Sequence, residues 1–259
     1  FRTERVEGPF NFALLNNRGA DVANGDYLVR LNNDTVVKTP EWIEEMLRFA
    51  QFPEVGAVGC KLLYPTGEIQ HAGLELQDRW IANHSFKGLP EETTAYNNIT
   101  KTVHEVSCVT GACLMIAAAK YHEVGGLDEH YLPNGFGDID FCLRLVKQGY
   151  TQVYTPYATL YHDESVSRGR ATETFERTHM IDKWAAELMS DPYLNINLRR
   201  DTSFAMDERF PYIDPTGKDF RELKEAYLES LPALPADERA EPPAQTQPHP
   251  EPATVRRAA

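Results

Sequence analysis

Three polar clusters in the sequence contain the side chains best suited to chemistry. The first, Asn32-Asn33-Asp34-Thr35, directly follows the apolar run 27–31. A carboxylate just beyond the carboxyl end of a buried strand can hold a divalent cation that bridges a diphosphate. Because Asn and Asp also favour turns, an ordinary turn is the alternative interpretation of this cluster.

The second cluster, Gly137-Asp138-Ile139-Asp140, opens a helix predicted from Asp138 to Gln148. An acid at that place can simply cap the helix or balance its dipole. Asp140 and Arg144 are one helical turn apart, so we expect them to pair and brace the preceding loop. Asp138 is then available to face a cleft.

The third cluster is His162-Asp163-Glu164-Ser165, followed by Ser167-Arg168-Gly169. Imidazole is a good ligand for transition metals, and a guanidinium group can donate two parallel hydrogen bonds to a phosphate. A histidine with no metal role and an ordinary loop are the alternatives here.

The elements around these clusters predict an α/β fold. Apolar runs at 27–31 and 55–63 are typical of buried strands, and the helix between them starts at Thr39-Pro40-Glu41, with Thr39 as N-cap. This order of strand, helix and strand is that of a βαβ unit. We predict further strands at 152–154 and 158–161, and loops with short edge strands at 65–102. A second strong helix is predicted at 172–190, whose apolar face fits the core more simply than a partner or membrane surface.

Composition excludes some classes of function. The net charge of −13 and the pI near 5.1 argue against a broad basic face that grips nucleic acid or anionic lipid. The four cysteines follow no CxxC spacing and lie in apolar segments, which predicts buried thiols in a reducing, cytoplasmic compartment. We see neither an apolar run of about 18 residues nor a signal-peptide pattern, so we expect no membrane-spanning segment.

Taken in order, short motifs between about Asn11 and Asn197 resemble those of the family-two bacterial glycosyltransferases, particularly a rhamnosyltransferase-like group that acts on surface polysaccharides. Their order and spacing make the resemblance specific. The motifs are Asn16-Asn17-Arg18-Gly19, Gly25-Asp26-Tyr27-Leu28, Leu31-Asn32-Asn33-Asp34-Thr35, Gln70-His71-Ala72-Gly73, Thr110-Gly111-Ala112-Cys113, Gly125-Gly126-Leu127-Asp128-Glu129, the segment from Gly137 to Arg144, and the third cluster.

The resemblance implies a GT-A fold, a Rossmann-like mixed sheet flanked by helices, and an inverting transfer from a nucleotide-sugar donor to a glycan or lipid-linked acceptor. It implies Mg²⁺ or Mn²⁺ as cofactor and peripheral association with the cytoplasmic face of the inner membrane as one option. The expected roles are Asp138 as general base, Asp34 and His162 as metal contacts, and donor or acceptor contacts at Asn32, His71, Gly111, Asp140 and Arg168.

Two residues depart from the family pattern. Asn32 stands where the first acid of the metal motif is expected, so metal affinity could be lower or the motif could orient a ribose instead. Gly137 stands where a Glu often precedes the base, which removes one acceptor contact and leaves Asp138 in place.

The sequence starts inside the expected domain, at Phe1, with no counterpart of the family's first nucleotide-binding segment. We therefore expect a glycosyltransferase domain at 1–200 that is incomplete at its amino end, an extension at 201–230 and a disordered Pro/Ala/Glu-rich tail at 231–259. A non-catalytic glycan-binding or scaffolding module on a degenerate GT-A fold is the main rival. A nucleotidyltransferase is the second, although no Gly-rich, Lys-bearing triphosphate loop supports it.

Overall fold

A computed structural model describes residues 3–77, 81–163 and 170–194. They form a mixed sheet of seven strands, a separate two-stranded hairpin and surrounding helices. The strands are β1 (Tyr27–Leu31), β2 (Thr35–Val37), β3 (Val55–Leu63), β4 (Ile69–His71), β5 (Leu74–Gln77), β6 (Ile81–His84), β7 (His104–Val106), β8 (Cys113–Ala117) and β9 (Thr151–His162). The α-helices are α1 (Phe12–Val22), α2 (Trp42–Ala50), α3 (Ala95–Asn98), α4 (Ala118–Glu123), α5 (Gly137–Lys147) and α6 (Arg170–Leu188).

The main sheet has the order β1-β8-β3-β9-β2, with β4 beside β3 and β7 beside β9. Strand β3 pairs parallel with β9 and antiparallel with β8, so the sheet is mixed. Every residue of β3 is buried, as its nearly continuous apolar sequence predicts for a central strand covered on both faces. The hairpin consists of β5 and β6.

Successive β3 side chains supply two separate apolar cores, because neighbouring residues of a strand point to opposite faces of a sheet. Val58, Cys60 and Leu62 join Met46 and Ala50 of α2. Ala57 and Leu63 join the larger core, which includes buried residues of α5 and α6. The predicted α/β architecture is confirmed.

Most predicted elements exist, with shifted boundaries. Helix α2 begins at Trp42 after Glu41, so the expectation that Thr39 would be its N-cap is wrong; the carbonyl of Thr39 instead accepts from the Trp42 amide in the preceding turn. Val146, an apolar residue in the last turn of α5, is 43% exposed. The sequence pattern did not indicate helix α1, in which the side chain of Asn11 caps the Leu14 amide.

The two strands predicted at 152–154 and 158–161 are one strand, β9. Its pairing with β3 passes from Cys60 opposite Thr155 to Lys61 opposite Thr159, so residues 156–158 form a bulge. Pro156 lacks the N–H that a regular ladder requires, which explains why the pattern breaks there.

All four cysteines are buried free thiols, as expected. The helices of the described segments include none with the length and apolar character needed to cross a bilayer. The expected extension and tail, 201–259, lie outside the described residues.

Candidate active site

The first cluster forms the turn between β1 and β2. The backbone N–H of Asn32 donates to the carbonyl of Ala112, and the Thr35 hydroxyl donates to the backbone carbonyl of Asn32. Strand β2 runs antiparallel to the end of β9, with Thr35 opposite His162. Two clusters that are far apart in the sequence therefore meet at one edge of the sheet.

His162 is the centre of this meeting point. Its Nε2 atom lies 3.2 Å from Oδ1 of Asp34 and 3.2 Å from Nδ2 of Asn32. On the other side of the ring, Nδ1 lies 2.5 Å from Oε1 of the buried Gln70. The imidazole is therefore held between the Asn32–Asp34 turn and strand β4.

The Asp34 and His162 pair fits a divalent metal. Two atoms that bind one ion at about 2.1 Å in adjacent octahedral positions lie about 3 Å apart, close to the observed 3.2 Å between Asp34 Oδ1 and His162 Nε2. Within the described segments no three His, Cys, Asp or Glu side chains cluster to form a larger metal site. The carboxylate suits Mg²⁺ or Mn²⁺, whereas the imidazole is a poor ligand for Mg²⁺ and therefore favours Mn²⁺.

Asp138 lies in the first turn of α5, beside a surface cavity. Its Oδ2 atom accepts a 2.8 Å hydrogen bond from the Gly111 amide, and its Oδ1 atom is 3.0 Å from the Ile139 amide. The cavity lining includes Asp138, Gly111, Arg30 and Asn32. Asn32 thus belongs both to this cavity and to the surroundings of His162.

Gly111 leaves room for an arginine. A Cβ atom at this position would lie 1.0 Å from Nη2 of Arg30, whose Nε donates to the Gly111 carbonyl at 2.9 Å. The Arg30 guanidinium also lies over the ring of Phe12. We expected Gly111 to contact the donor or acceptor. In the structure, the Arg30 guanidinium fills the space beside Gly111, where a side chain would lie, and forms part of the cavity wall.

Asp140 is fully buried, away from the cavity lining. Its carboxylate accepts from Arg144, Lys183 and Trp184 at 2.7–2.8 Å. The expected Asp140–Arg144 brace is confirmed, since Arg144 also donates to carbonyls of the preceding loop, those of Val124 and Gly126. The expected contact of Asp140 with donor or acceptor needs correction, because these three partners surround its carboxylate.

Burial alone would raise the pKa of Asp140. The charge of Arg144, with hydrogen bonds from Lys183, Trp184 and Arg144, outweighs the cost of burial and lowers the pKa below its ordinary value of 3.8. Asp140 is therefore an ionised structural group that joins α5 to α6.

His71 was expected to form a wall of the donor or acceptor pocket, and the structure places it elsewhere. Its side chain is fully buried, with Nδ1 at 3.0 Å from Nδ1 of His84 and the rings edge to face. Burial, followed by the proximity of His84 and His162, lowers the pKa of His71 well below 6.5. His71 is thus a neutral core residue behind the site. Arg168 lies outside the described residues.

Sequence reasoning missed three residues near the site. Arg30 is a charged residue inside an apolar strand, which was a usable signal. Gln70 opens one of the motifs of the family resemblance but was assigned no role, and Glu176 gave no local signal, because its contacts are far away in the sequence. The Oε1 atom of Glu176 accepts from the amides of Asn134 and Gly135, in the loop that leads to Asp138.

Comparisons with known proteins relate the chain to glycosyltransferases. Residues 8–119 match the model of glycosyl transferase family 2. The chain is 40% identical over 204 residues to the uncharacterized protein y4gI of Sinorhizobium fredii, covering 76% of this chain and 22% of that protein. It is 39% identical over 197 residues to the O-antigen biosynthesis protein RfbC of Myxococcus xanthus, covering 73% of this chain and 15% of that protein.

A third relative is the N-acetylglucosaminyl-diphospho-decaprenol L-rhamnosyltransferase of Mycobacterium tuberculosis, 29% identical over 153 residues, covering 56% of this chain and 49% of the relative. The chain thus spans less than half the length of each of these relatives.

The fold is similar to that of a solved structure, GalNAc-T7 with UDP, GalNAc and Mn²⁺. The TM-score is 0.54 at 13% sequence identity, and the match covers 89% of this chain and 44% of that protein. Similarity at this identity supports the fold alone. Residues 8–119 thus match glycosyl transferase family 2, and the chain has a GT-A fold.

Proposed function

We propose that this protein transfers a hexosyl or deoxyhexosyl group from a nucleoside-diphosphate sugar to a hydroxyl of a glycan or lipid-linked glycan, with inversion, in surface polysaccharide synthesis. One observation carries the proposal: Asn32 lines the cavity of Asp138 and also lies 3.2 Å from His162. The candidate base and the candidate metal ligands therefore share one site. The names of two relatives, an O-antigen biosynthesis protein and a rhamnosyltransferase, support the substrate class.

The transfer is a single displacement. The acceptor hydroxyl oxygen attacks the anomeric carbon while the bond from that carbon to the diphosphate oxygen breaks. The electron pair of this bond leaves with the nucleoside diphosphate, and a carboxylate oxygen of Asp138 takes the hydroxyl proton. Attack from the face opposite the leaving group inverts the anomeric configuration.

The groups around His162 serve the leaving group. Asp34 and His162 would hold Mg²⁺ or Mn²⁺, which when bound neutralises the charge on the departing diphosphate. We assign Asn32 to orientation of the donor, because its neutral amide lies between the cavity and His162. By the family resemblance Arg168 would cover the phosphates.

The acceptor would determine where the protein works. A lipid-linked glycan is held at a membrane surface, so we place the reaction at the cytoplasmic face of the membrane, with the protein bound peripherally.

The test uses the full-length protein with Mn²⁺, a panel of nucleoside-diphosphate sugars and a lipid-linked glycan acceptor. The expected result is glycoside formation with release of one nucleoside diphosphate per transfer, lost on chelation and restored by Mn²⁺. Glycan binding that does not respond to nucleotide-sugar or metal would select the binding module instead. Release of pyrophosphate would select a nucleotidyltransferase.

A further inference from the structure

Gln70 is a buried polar side chain directly behind His162. It belongs to β4, which pairs with the end of β3, and is only 3% exposed. Both ends of its amide contact the same residue: Oε1 lies 2.5 Å from His162 Nδ1, and Nε2 donates to the backbone carbonyl of His162 at 3.1 Å. Together, the two contacts fix the orientation of the Gln70 amide relative to the His162 imidazole.

The chemistry of the amide determines where the imidazole proton lies. A carbonyl oxygen can only accept a hydrogen bond, so the neutral ring must carry its proton on Nδ1. The amide cannot turn over to offer its NH₂ group instead, because its oxygen would then face the carbonyl oxygen of His162. Nε2 thereby keeps its lone pair, which accepts from the side-chain NH₂ of Asn32 at 3.2 Å and lies 3.2 Å from Oδ1 of Asp34. A bound cation would take the place of the hydrogen bond from Asn32.

We propose that Gln70 is a positioning residue that holds His162 as the Nδ1–H tautomer, with Nε2 available to bind the divalent cation. This inference rests on the proposed role of His162 as a metal ligand. Histidine ligands commonly donate their second ring N–H to a protein acceptor, and losing that acceptor typically weakens metal binding about 10- to 100-fold. The side chain of Gln70 supplies the acceptor here.

The chain offers a matched control in Gln152. This glutamine is also fully buried and lies in β9, the same strand as His162, but its amide donates to the carbonyl of Cys142 at 3.4 Å. Gln152→Met removes a buried amide of the same size without removing a contact to His162. Gln70→Met and Gln152→Met therefore differ in what they do to the imidazole.

The first measurement concerns the metal-free wild-type protein. Long-range ¹H–¹⁵N spectra of histidine-labelled protein, assigned with His162→Ala, should show His162 protonated on Nδ1. In Gln70→Met this signature should be replaced by exchange between tautomers, and in Gln152→Met it should persist. A wild-type His162 protonated on Nε2 would overturn the proposal whether or not Gln70→Met folds.

The second measurement is Mn²⁺ affinity from the electron paramagnetic resonance signal of free Mn²⁺. Gln70→Met should bind Mn²⁺ about 10- to 100-fold more weakly than wild type, and Gln152→Met should bind it as wild type does. Equal affinity in Gln70→Met and wild type would refute the positioning role. If the predicted affinities and tautomers are found but the wild type transfers no sugar, the inference on Gln70 stands and the proposed function fails.

Discussion

The backbone N–H of Gly111 donates a 2.8 Å hydrogen bond to Oδ2 of Asp138. This bond joins the segment before β8 to the first turn of α5, across 27 residues of sequence. The Thr110 hydroxyl lies 3.5 Å from the same oxygen, whereas Oδ1 accepts from the Ile139 amide. Because each carboxylate oxygen has two acceptor sites, Oδ1 can accept a proton from a substrate hydroxyl while Gly111 holds the carboxylate in place.

Replacement of Asp138 by asparagine tests its proposed role as general base. The amide oxygen of the new side chain can still accept from Gly111, but the amide cannot take up the hydroxyl proton. We expect the transfer rate to fall about 10²- to 10⁴-fold, with nucleotide-sugar affinity in calorimetry largely unchanged. Asp21→Asn, at an exposed acid of α1, serves as the control and should keep wild-type rates. Turnover retained by Asp138→Asn would remove Asp138 from the mechanism.

Gly111→Ala should disturb the cavity wall, because the new methyl group would occupy the position of the Arg30 guanidinium. The guanidinium is the flexible end of its side chain, so we expect it to move aside and lose its hydrogen bond to the Gly111 carbonyl. This should lower the free energy of unfolding by about 0.5–1.5 kcal/mol and reduce activity. Gly19→Ala is the matched control: Gly19 lies in helix α1 with open space at its Cβ position, so alanine should stabilise by about 0.5–1 kcal/mol. Urea unfolding measures the free energy of unfolding of both variants. A change of the same sign and size in the two variants would contradict the steric argument.

Asp140→Asn should destabilise the protein by about 3–5 kcal/mol at neutral pH, because it leaves Arg144 and Lys183 without their buried carboxylate. Since folding lowers the pKa of Asp140, its stabilising contribution is full above the unfolded-state pKa of about 3.9 and is lost as pH falls through the lower folded-state pKa. Urea unfolding of wild type and variant should therefore give curves that converge below about pH 4. A difference that stays constant down to about pH 2 would disprove this account.

Glu176→Ala should loosen the loop before Asp138, because one carboxylate oxygen accepts from two successive amides, those of Asn134 and Gly135. Hydrogen bonds to a charged group contribute about 1.5–3 kcal/mol each, so exchange of these two amides should accelerate about tenfold or more. Glu176→Gln keeps an acceptor oxygen, so the exchange rates of the two amides in this variant should lie between those of wild type and those of Glu176→Ala. Hydrogen exchange resolved at these amides provides the measurement, and unchanged protection in Glu176→Ala would reject the role.

The apolar runs were enough to predict β1 and β3 with the ends that the structure shows, whereas β9 was predicted as two separate strands. Asp34 and His162 could be placed at strand ends from the sequence, but their 3.2 Å contact depends on β2, a strand of only three residues. Strands of this length have no detectable period, so their partners become visible only in the fold.

Asp140 and His71 show that the sequence did not distinguish buried structural residues from residues that contact substrate. A polar residue inside a family motif looks the same in sequence whether it faces substrate or holds the core together. Asp140 is buried because α6 brings Lys183 and Trp184 to it from more than 40 residues away, and His71 because β6 brings His84 beside it. Contacts of this kind depend on tertiary packing and leave no local pattern.

The bulge at 156–158 divides β9 into two lengths that can tolerate change differently. Beyond the bulge, residues 159–161 pair with β3 and residues 160–162 pair with β2. The last of these pairs is Thr35 opposite His162. A residue gained or lost at the half-exposed Tyr157 can be absorbed where pairing is already interrupted. We therefore expect an insertion or deletion at Tyr157 to leave the distance between Asp34 and His162 unchanged.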